Sequence, residues 1–112
     1  MLTKGIYYII ISLMRRNPIY SFDPDKNVEL IKTRHVSFEM VIAALDKQDP
    51  LDVLEHPNSN KYKHQKIYVI ELNNYVYLVP FVESENKIFL KTIFPSRKFT
   101  KKYLKEKETS DG

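Results

Sequence analysis

The chain has 112 residues, of which 43% are hydrophobic and 29% charged, with eight Tyr and six Phe; this composition favours one folded domain over low-complexity disorder. The lack of Cys and the scatter of three His exclude disulfides, Fe–S clusters, thiol catalysis and Cys-based zinc sites. Two Gly are too few for a Gly-rich phosphate loop. We therefore expect no metal or cofactor and a cytoplasmic location. The net charge of +4 is concentrated near the C-terminus, since residues 1–86 carry ten Lys or Arg and eleven Asp or Glu while residues 87–112 carry eight and three, which indicates a surface for nucleic acid or an acidic partner.

The N-terminus differs from the rest of the chain. Residues 6–14 form an almost unbroken apolar run, followed at once by Arg15 and Arg16. A bilayer-spanning helix needs about 20 residues, and a secretory signal carries its positive charge before the apolar run. The run is either an extra β-strand or the result of an over-long start upstream of Met14, and we favour the second interpretation. We therefore expect an extension over residues 1–19, one domain over 20–108 and a disordered tail over 109–112.

Two helices are predicted next. Asp23 can cap a first turn and Pro24 suits the first helical position, so a helix should cover residues 24–33. Ser37 offers a second N-cap. The residues after it have the i, i+3, i+4, i+7 spacing of one buried helical stripe, formed by Phe38, Val41, Ile42 and Leu45.

A β-rich region follows. Residues 51–54 can form a short strand, and segments rich in β-branched and aromatic residues predict a meander over 66–72, 75–82 and 88–94. Asn73 and Asn74 tolerate positive φ and can form a tight hairpin turn. Pro80 lacks an N–H, so we expect it near a strand end or on an open side of the sheet.

The C-terminal region predicts one more helix. Pro95 should end the last strand, and Ser96 can cap a basic helix that packs through Phe99 and Tyr103. The predicted fold class is α+β, with two N-terminal helices packed on an antiparallel three- to four-stranded sheet and a C-terminal basic helix. The predicted core between the second helix and the sheet comprises Val41, Ile42, Leu45, Val69 and Val79.

Three motifs carry a family resemblance. They read Phe22-Asp23-Pro24-Asp25-Lys26-Asn27, His35-Val36-Ser37-Phe38-Glu39 and Ser96-Arg97-Lys98-Phe99-Thr100-Lys101-Lys102, and they resemble the signatures of the BrnT family of bacterial toxins over roughly residues 20–104. The resemblance implies a RelE-like fold, metal-independent endoribonuclease activity that arrests translation, and a BrnA-like DNA-binding antitoxin as partner. We expect no membrane association, and self-assembly either only through the antitoxin or in a form that the sequence does not indicate.

The sequence departs from the family pattern in two places. In an ungapped alignment on Arg97, the usual basic residue of the last strand falls opposite Thr92 instead of Lys91. Because side chains alternate faces along a strand, this one-residue slip moves the basic group to the other side of the sheet. The polar stretch 55–64 is also longer than in shorter family members.

The implied reaction needs a base to deprotonate the RNA 2′-hydroxyl, an acid for the leaving 5′-oxygen and cations to stabilise the phosphorane, and it leaves 2′,3′-cyclic phosphate ends. Arg97 is the candidate phosphate clamp, because a guanidinium matches phosphate bidentately, and Lys91 is a second candidate cation. The proton-transfer candidates are Glu55, His56 and His64. His64 is preferred because it lies two residues before the predicted strand at 66–72.

RNA contacts are expected on the last helix. Its lysines recur at spacings of one, three and four, which places them along one broad side as an RNA-backbone rail or an antitoxin-docking face; they are Lys98, Lys101, Lys102 and Lys105. The tyrosines Tyr62, Tyr68, Tyr75 and Tyr77 can stack on bases or serve as packing residues. His35 matches a family position but lies between two helices, where capping the first helix is the favoured role.

Two alternatives to a ribonuclease toxin remain. The chain can be a non-catalytic RNA- or protein-binding module of the same fold, or a membrane-associated accessory protein anchored by its N-terminal run. Cleavage of RNA in EDTA separates the first alternative from the toxin, and N-terminal sequencing of the native protein bears on the second.

Overall fold

A computed structural model describes residues 18–58, 61 and 65–105, with Lys105 described by its backbone alone. This part of the chain has an α+β fold with three helices and six strands. In chain order they are β1 (Ile19–Ser21), α1 (Pro24–Arg34), α2 (Phe38–Lys47), β2 (Asp52–Glu55), β3 (Gln65–Leu72), β4 (Tyr75–Ser84), β5 (Lys87–Leu90), β6 (Phe94–Pro95) and α3 (Arg97–Thr100), which continues into a π-helical turn, Lys101–Lys105. No helix in these ranges is long and apolar enough to cross a membrane.

The sheet is mixed, with the order β1-β5-β4-β3-β2. Strand β1 runs parallel to β5, and the other neighbouring strands are antiparallel. Strand β6 pairs with β4 beyond the end of β5. The prediction of an antiparallel sheet with three or four strands was therefore wrong in detail, because Ile19–Ser21 adds a parallel strand and the segment predicted over 88–94 is split into two.

Each helix begins at a side-chain cap. The Asp23 carboxylate accepts a hydrogen bond from the Asp25 N–H at 2.9 Å, and the Ser37 hydroxyl accepts one from the Met40 N–H at 3.2 Å. Helix α1 ends at His35, which has the left-handed φ of 58° and donates its N–H to the Ile31 carbonyl at 3.2 Å. The N-caps predicted for α1 and α2 are confirmed, and His35 caps the C-terminal end of α1 through its backbone.

The two faces of the sheet are covered differently. Helices α1 and α2 cover the face that carries Ile70, Val79 and Phe81, and these side chains form the main core with Leu30, Val36, Phe38, Val41, Leu72, Ile88, Leu90 and Ile93. Alternation along β3 and β4 places Val69 and Val76, both fully buried, on the opposite face. The C-terminal helix covers that part of the second face.

The predicted core is confirmed in burial but wrong in one position. Val41 and Val79 are fully buried, and Ile42 and Leu45 are half-buried against the core under α2. Val69 is fully buried as well, but beneath the C-terminal helix. The hydrophobic pattern of β3 does not show which of its side chains face the helices α1 and α2, because this strand is buried on both faces.

The hairpin from β3 to β4 is formed by two asparagines, as predicted. Asn73 and Asn74 have φ values of 54° and 64°, and Leu72 pairs with Tyr75 across the turn. Two consecutive positive φ values match the right-handed twist of the flanking strands, and Asn tolerates them better than most residues. A second tight turn joins β4 to β5, where Ser84 pairs with Lys87 and Glu85 has a φ of 58°.

A bulge separates β5 from β6 where both strands pair with β4. Phe81 of β4 pairs with Leu90 of β5, and Leu78 of β4 pairs with Phe94 of β6. Two residues of β4, 79 and 80, therefore lie opposite the three residues 91–93 that join β5 to β6. Pro80 lies inside β4, and its carbonyl accepts a hydrogen bond from the Lys91 N–H at 2.8 Å. Of the two positions expected for Pro80, a strand end is wrong and an open side of the sheet fits, because the position of its missing N–H faces the bulge, where the ladder is already interrupted.

Candidate nucleic-acid interface

The first two motifs form the corner between α1 and α2. The ring of Phe22 stacks on Phe38 with centroids 4.9 Å apart. Asn27, which is 7% exposed, accepts a hydrogen bond from the Phe38 N–H at 2.8 Å and donates one to the Glu39 carboxylate at 2.8 Å. These contacts account for most of the two motifs, so the motifs specify the fold at this corner.

The Glu39 carboxylate is perturbed by this corner. The hydrogen bond from the Asn27 amide, together with backbone hydrogen bonding at the start of α2, lowers the pKa of Glu39 below its usual value. Hydrogen bonds to the charged form favour that form. Glu39 is therefore a bonded, ionised side chain, and it is a poor candidate for a general base.

The third motif docks the C-terminal helix onto β4. The Ser96 N–H donates to the Val76 carbonyl at 2.9 Å, and the Val76 N–H donates to the Thr100 hydroxyl oxygen at 2.9 Å. The Ser96 hydroxyl caps the helix by accepting from the Phe99 N–H at 3.1 Å. Ser96 and Thr100 thus fix where the helix starts and how it lies on the sheet.

The basic residues of this motif face solvent. Arg97, Lys98, Lys101 and Lys102 are exposed, whereas Phe99, Thr100, Tyr103 and Leu104 are half-buried. No carboxylate of a described residue lies within ion-pair distance of these four cations. The helix is therefore amphipathic, and its positive side, predicted from the lysine spacing, is paired with no carboxylate among the described residues. The Lys105 side chain lies outside the described residues. We call Arg97, Lys98, Lys101 and Lys102 the basic ridge.

Two aromatic rings support the ridge. Phe99 and Tyr103 are stacked with centroids 6.2 Å apart, and the Lys102 ammonium lies 5.9 Å and 5.4 Å from their centroids. The Lys98 ammonium lies 5.9 Å from the Phe99 centroid. At these distances the ring faces attract the cations without neutralising them. The far end of the helix is fixed by the Tyr103 hydroxyl, which donates to the Asp52 carboxylate of β2 at 3.3 Å.

The other predicted catalytic residues do not converge on Arg97. Lys91 is exposed at the bulge and donates to the Gln65 amide oxygen at 3.3 Å. The Lys91 N–H bonds to Pro80 of β4, and Ser96, at the start of the C-terminal helix, bonds to Val76 of the same strand. Pro80 and Val76 are four residues apart, so Lys91 lies about 13 Å along β4 from the start of the helix. Lys91 and Gln65 share the sheet face on which the C-terminal helix lies, since Lys91 directly follows the paired Leu90 and its N–H still bonds to the Pro80 carbonyl.

The proton-transfer candidates are divided. Glu55 ends β2 opposite Lys66, and alternation places both on the face of the sheet that carries the N-terminal helices. Its carboxylate is thus on the other side of the sheet from Lys91 and the ridge. The His56 imidazole accepts a hydrogen bond from the Asn58 N–H at 3.1 Å, and His64 lies outside the described residues.

The strand tyrosines are packing residues. Tyr68 stacks on Phe81 at 3.9 Å, and Tyr77 packs against the core with its edge contact to Tyr75 at 5.8 Å. Burial, with smaller contributions from the charges of Tyr20 and Glu83, raises the pKa of Tyr68 to about 12. These rings lie on the helix-covered face, so base stacking by Tyr68, Tyr75 and Tyr77 is not supported; Tyr62 is outside the described residues.

Sequence reasoning missed two contacts at the bulge between β5 and β6. The Arg34 guanidinium donates to the Ile93 carbonyl within the bulge, and Gln65 holds the Lys91 ammonium. Both join residues far apart in sequence, 59 and 26 positions respectively. Neither contact has a local sequence signal, because each depends on the register of β4 with its neighbours. Within the described ranges, no group of three His, Asp or Glu is placed to hold a metal.

Comparison with known proteins returned no match among family models, curated proteins or solved structures. The resemblance to the BrnT family therefore rests on the three motifs, and the function must be argued from the surface of the molecule.

Proposed function

We propose that this chain is a BrnT-like toxin of a type II toxin–antitoxin system, with a RelE-like fold, that binds and cleaves RNA in the cytoplasm. The observation that carries the proposal is the basic ridge. Four exposed cations lie on one side of a helix whose other side is fixed to β4 and β2. Phosphates are the ligands that such a uniform positive surface attracts most strongly.

Arg97 is the proposed phosphate clamp of the reaction. It is the first residue of α3, directly after the β4-bound Ser96, so its backbone is held by the sheet. Its guanidinium has no hydrogen bond or ion pair with any described residue, and it is available to bind a phosphate bidentately. Clamping the scissile phosphate would stabilise the negative charge that develops on the phosphorane.

A second candidate function is a non-catalytic RNA-binding module. It is favoured by the separation of Glu55 from the ridge by the sheet and by the distance of about 13 Å between Lys91 and the helix start. An acid–base pair for cleavage would then have to come from His64 or from another part of the chain. In both functions the basic ridge binds RNA, and only the toxin also cleaves it.

Cleavage decides between the two functions. Purified protein is incubated with total RNA in EDTA, and the fragments are tested for 2′,3′-cyclic phosphate ends. A toxin yields such fragments, whereas binding without cleavage at high protein concentration favours the module. An adjoining gene for a small DNA-binding protein would support the BrnA-like partner.

The Arg97→Ala variant tests the clamp. Loss of one preorganised donor should cost about 2.7 to 4 kcal/mol of transition-state stabilisation, a rate lowered by about 100- to 1,000-fold, and should abolish growth arrest on expression in bacteria. Lys32→Ala is the matched control, because it removes one exposed positive charge from α1 and should remain toxic. Full toxicity of Arg97→Ala at equal soluble expression would move the active site elsewhere.

A further inference from the structure

Half of the second sheet face is not covered by the C-terminal helix. One cross-strand row on this half contains Ser21 of β1, Phe89 of β5, Val82 of β4 and Gln65 of β3. The row beside it contains Lys91, Pro80, Ile67 and Leu54, and the row on the other side contains Ile19, Lys87 and Ser84. We call these three rows the open face.

The centre of the open face is an unusually exposed aromatic side chain. Phe89 is 42% exposed and Ile19 is 61% exposed, although both belong to strands of the sheet. Phe89 has its ring between Lys87 and Lys91, two residues away on either side along the same face. Both lysines are exposed, so an accessible ring is flanked by two ammonium groups.

The open face carries positive charge only. Lys87 and Lys91 are its charged members, and neither lies within ion-pair distance of a carboxylate of a described residue. The carboxylates of this half of the sheet are elsewhere: alternation places Glu83 and Glu55 on the helix-covered face, and Glu85 lies in the turn before β5. An apolar patch with only lysines around it is complementary to a ligand that combines flat apolar surfaces with negative charge.

We propose that the open face binds single-stranded RNA, with one base stacked on Phe89 and the adjoining phosphates at Lys87 and Lys91. This inference rests on the proposed function and extends the RNA site from the basic ridge onto the sheet. Bases of a single strand can leave their neighbours and stack on an aromatic ring, whereas the bases of a duplex are already stacked and paired. Phe89 therefore selects for single strands, and it does so with little preference among bases.

The experiment compares Phe89 variants in binding a fluorescently labelled 2′-O-methyl oligouridylate, which lacks the 2′-hydroxyl nucleophile and stays intact. Phe89→Leu keeps an apolar side chain but removes the π-face, and it should weaken binding by about 5- to 150-fold, the range found for loss of one stacked base. Phe89→Trp should bind as well as the wild type or better. Ile31→Leu is the control, since Ile31 is 48% exposed on α1 and should leave binding unchanged.

A second measurement does not depend on affinity. The chain contains no Trp, so Phe89→Trp introduces a single indole whose fluorescence should be quenched when the oligouridylate stacks on it. Ile31→Trp, on the helix side of the molecule, should not be quenched. An RNA duplex of the same length should compete poorly with the oligouridylate for binding to the protein.

Three results would overturn the proposal. Equal affinity of the Phe89→Leu variant and the wild type would show that the π-face is not used, and the open face would then be an apolar docking surface for a protein. An unquenched Trp at position 89 in the presence of saturating RNA, or equal competition by duplex, would contradict single-strand stacking. If Lys101→Ala weakens RNA binding while Phe89→Leu does not, the proposed function stands and this inference fails.

Discussion

Replacing Asn27 by Ala should destabilise the fold while leaving the RNA-binding surface in place. Asn27 is buried, and its amide makes one hydrogen bond to the Phe38 N–H and one to the Glu39 carboxylate, both 2.8 Å long. Alanine leaves the buried Phe38 N–H without an acceptor. That loss costs about 1 to 3 kcal/mol, and the lost bond to a charged but exposed carboxylate adds about 1 kcal/mol.

The expected loss in the free energy of unfolding is therefore about 2 to 4 kcal/mol. For a domain of this size, thermal denaturation should give a Tm lowered by at least about 8 °C. The Asn27→Asp variant keeps an acceptor for the Phe38 N–H but faces the Glu39 carboxylate, so it tests the acceptor separately from the donor. A double-mutant cycle of Asn27→Ala with Glu39→Ala isolates the Asn27–Glu39 interaction energy.

The pH dependence gives an independent check. Because the folded pKa of Glu39 is lowered, its contribution to stability is present above the unfolded pKa of about 4.3 and is lost as the pH falls through the lower folded value. The stability difference between wild type and Asn27→Ala should narrow in acid. A loss below about 0.5 kcal/mol at neutral pH, the range of an ordinary surface substitution, would refute the structural role given to this motif.

Two further predictions concern the sheet. The pKa of Tyr68 is raised to about 12, so wild-type stability should be full below pH ~10 and fall as the pH rises from 10 towards 12. In alkaline denaturation the Tyr68→Phe variant should lose less stability than the wild type over this pH range. Equal losses would contradict the raised pKa of Tyr68. Thr100→Val removes the acceptor of the Val76 N–H and should cost about 1 to 3 kcal/mol in urea denaturation, whereas a neutral result would mean that the C-terminal helix is held by other contacts.

Local signals predicted the local structure of this chain well. Asp23 and Ser37 begin helices because their side chains satisfy backbone N–H groups a few residues away, and the Asn73–Asn74 turn follows from positive φ values. These interactions depend on neighbours in sequence. A single sequence therefore contains all the information they need.

Long-range pairing was not predictable in the same way. The parallel pairing of β1 with β5 and the bulge opposite Pro80 depend on which strands meet and in what register. Val69 shows the same difficulty, because a strand buried on both faces lacks the alternation that would assign its side chains. For the candidate site, the exposed cations of the C-terminal helix followed from their spacing, whereas the position of Glu55 across the sheet required the register of β2.

The salt dependence of RNA affinity tests the central claim, that the basic ridge binds RNA phosphates. The affinity for single-stranded oligouridylate is measured over a series of salt concentrations for the wild type, the Lys101→Ala/Lys102→Ala double variant and the Lys32→Ala control. Each lost phosphate contact on a single strand should reduce the slope of log affinity against log salt by about 0.7, so the double variant should lose about 1.4. Lys32→Ala should match the wild type. A double variant with wild-type affinity and slope, or a control with an equal loss, would contradict the claim that the ridge is the RNA-binding surface.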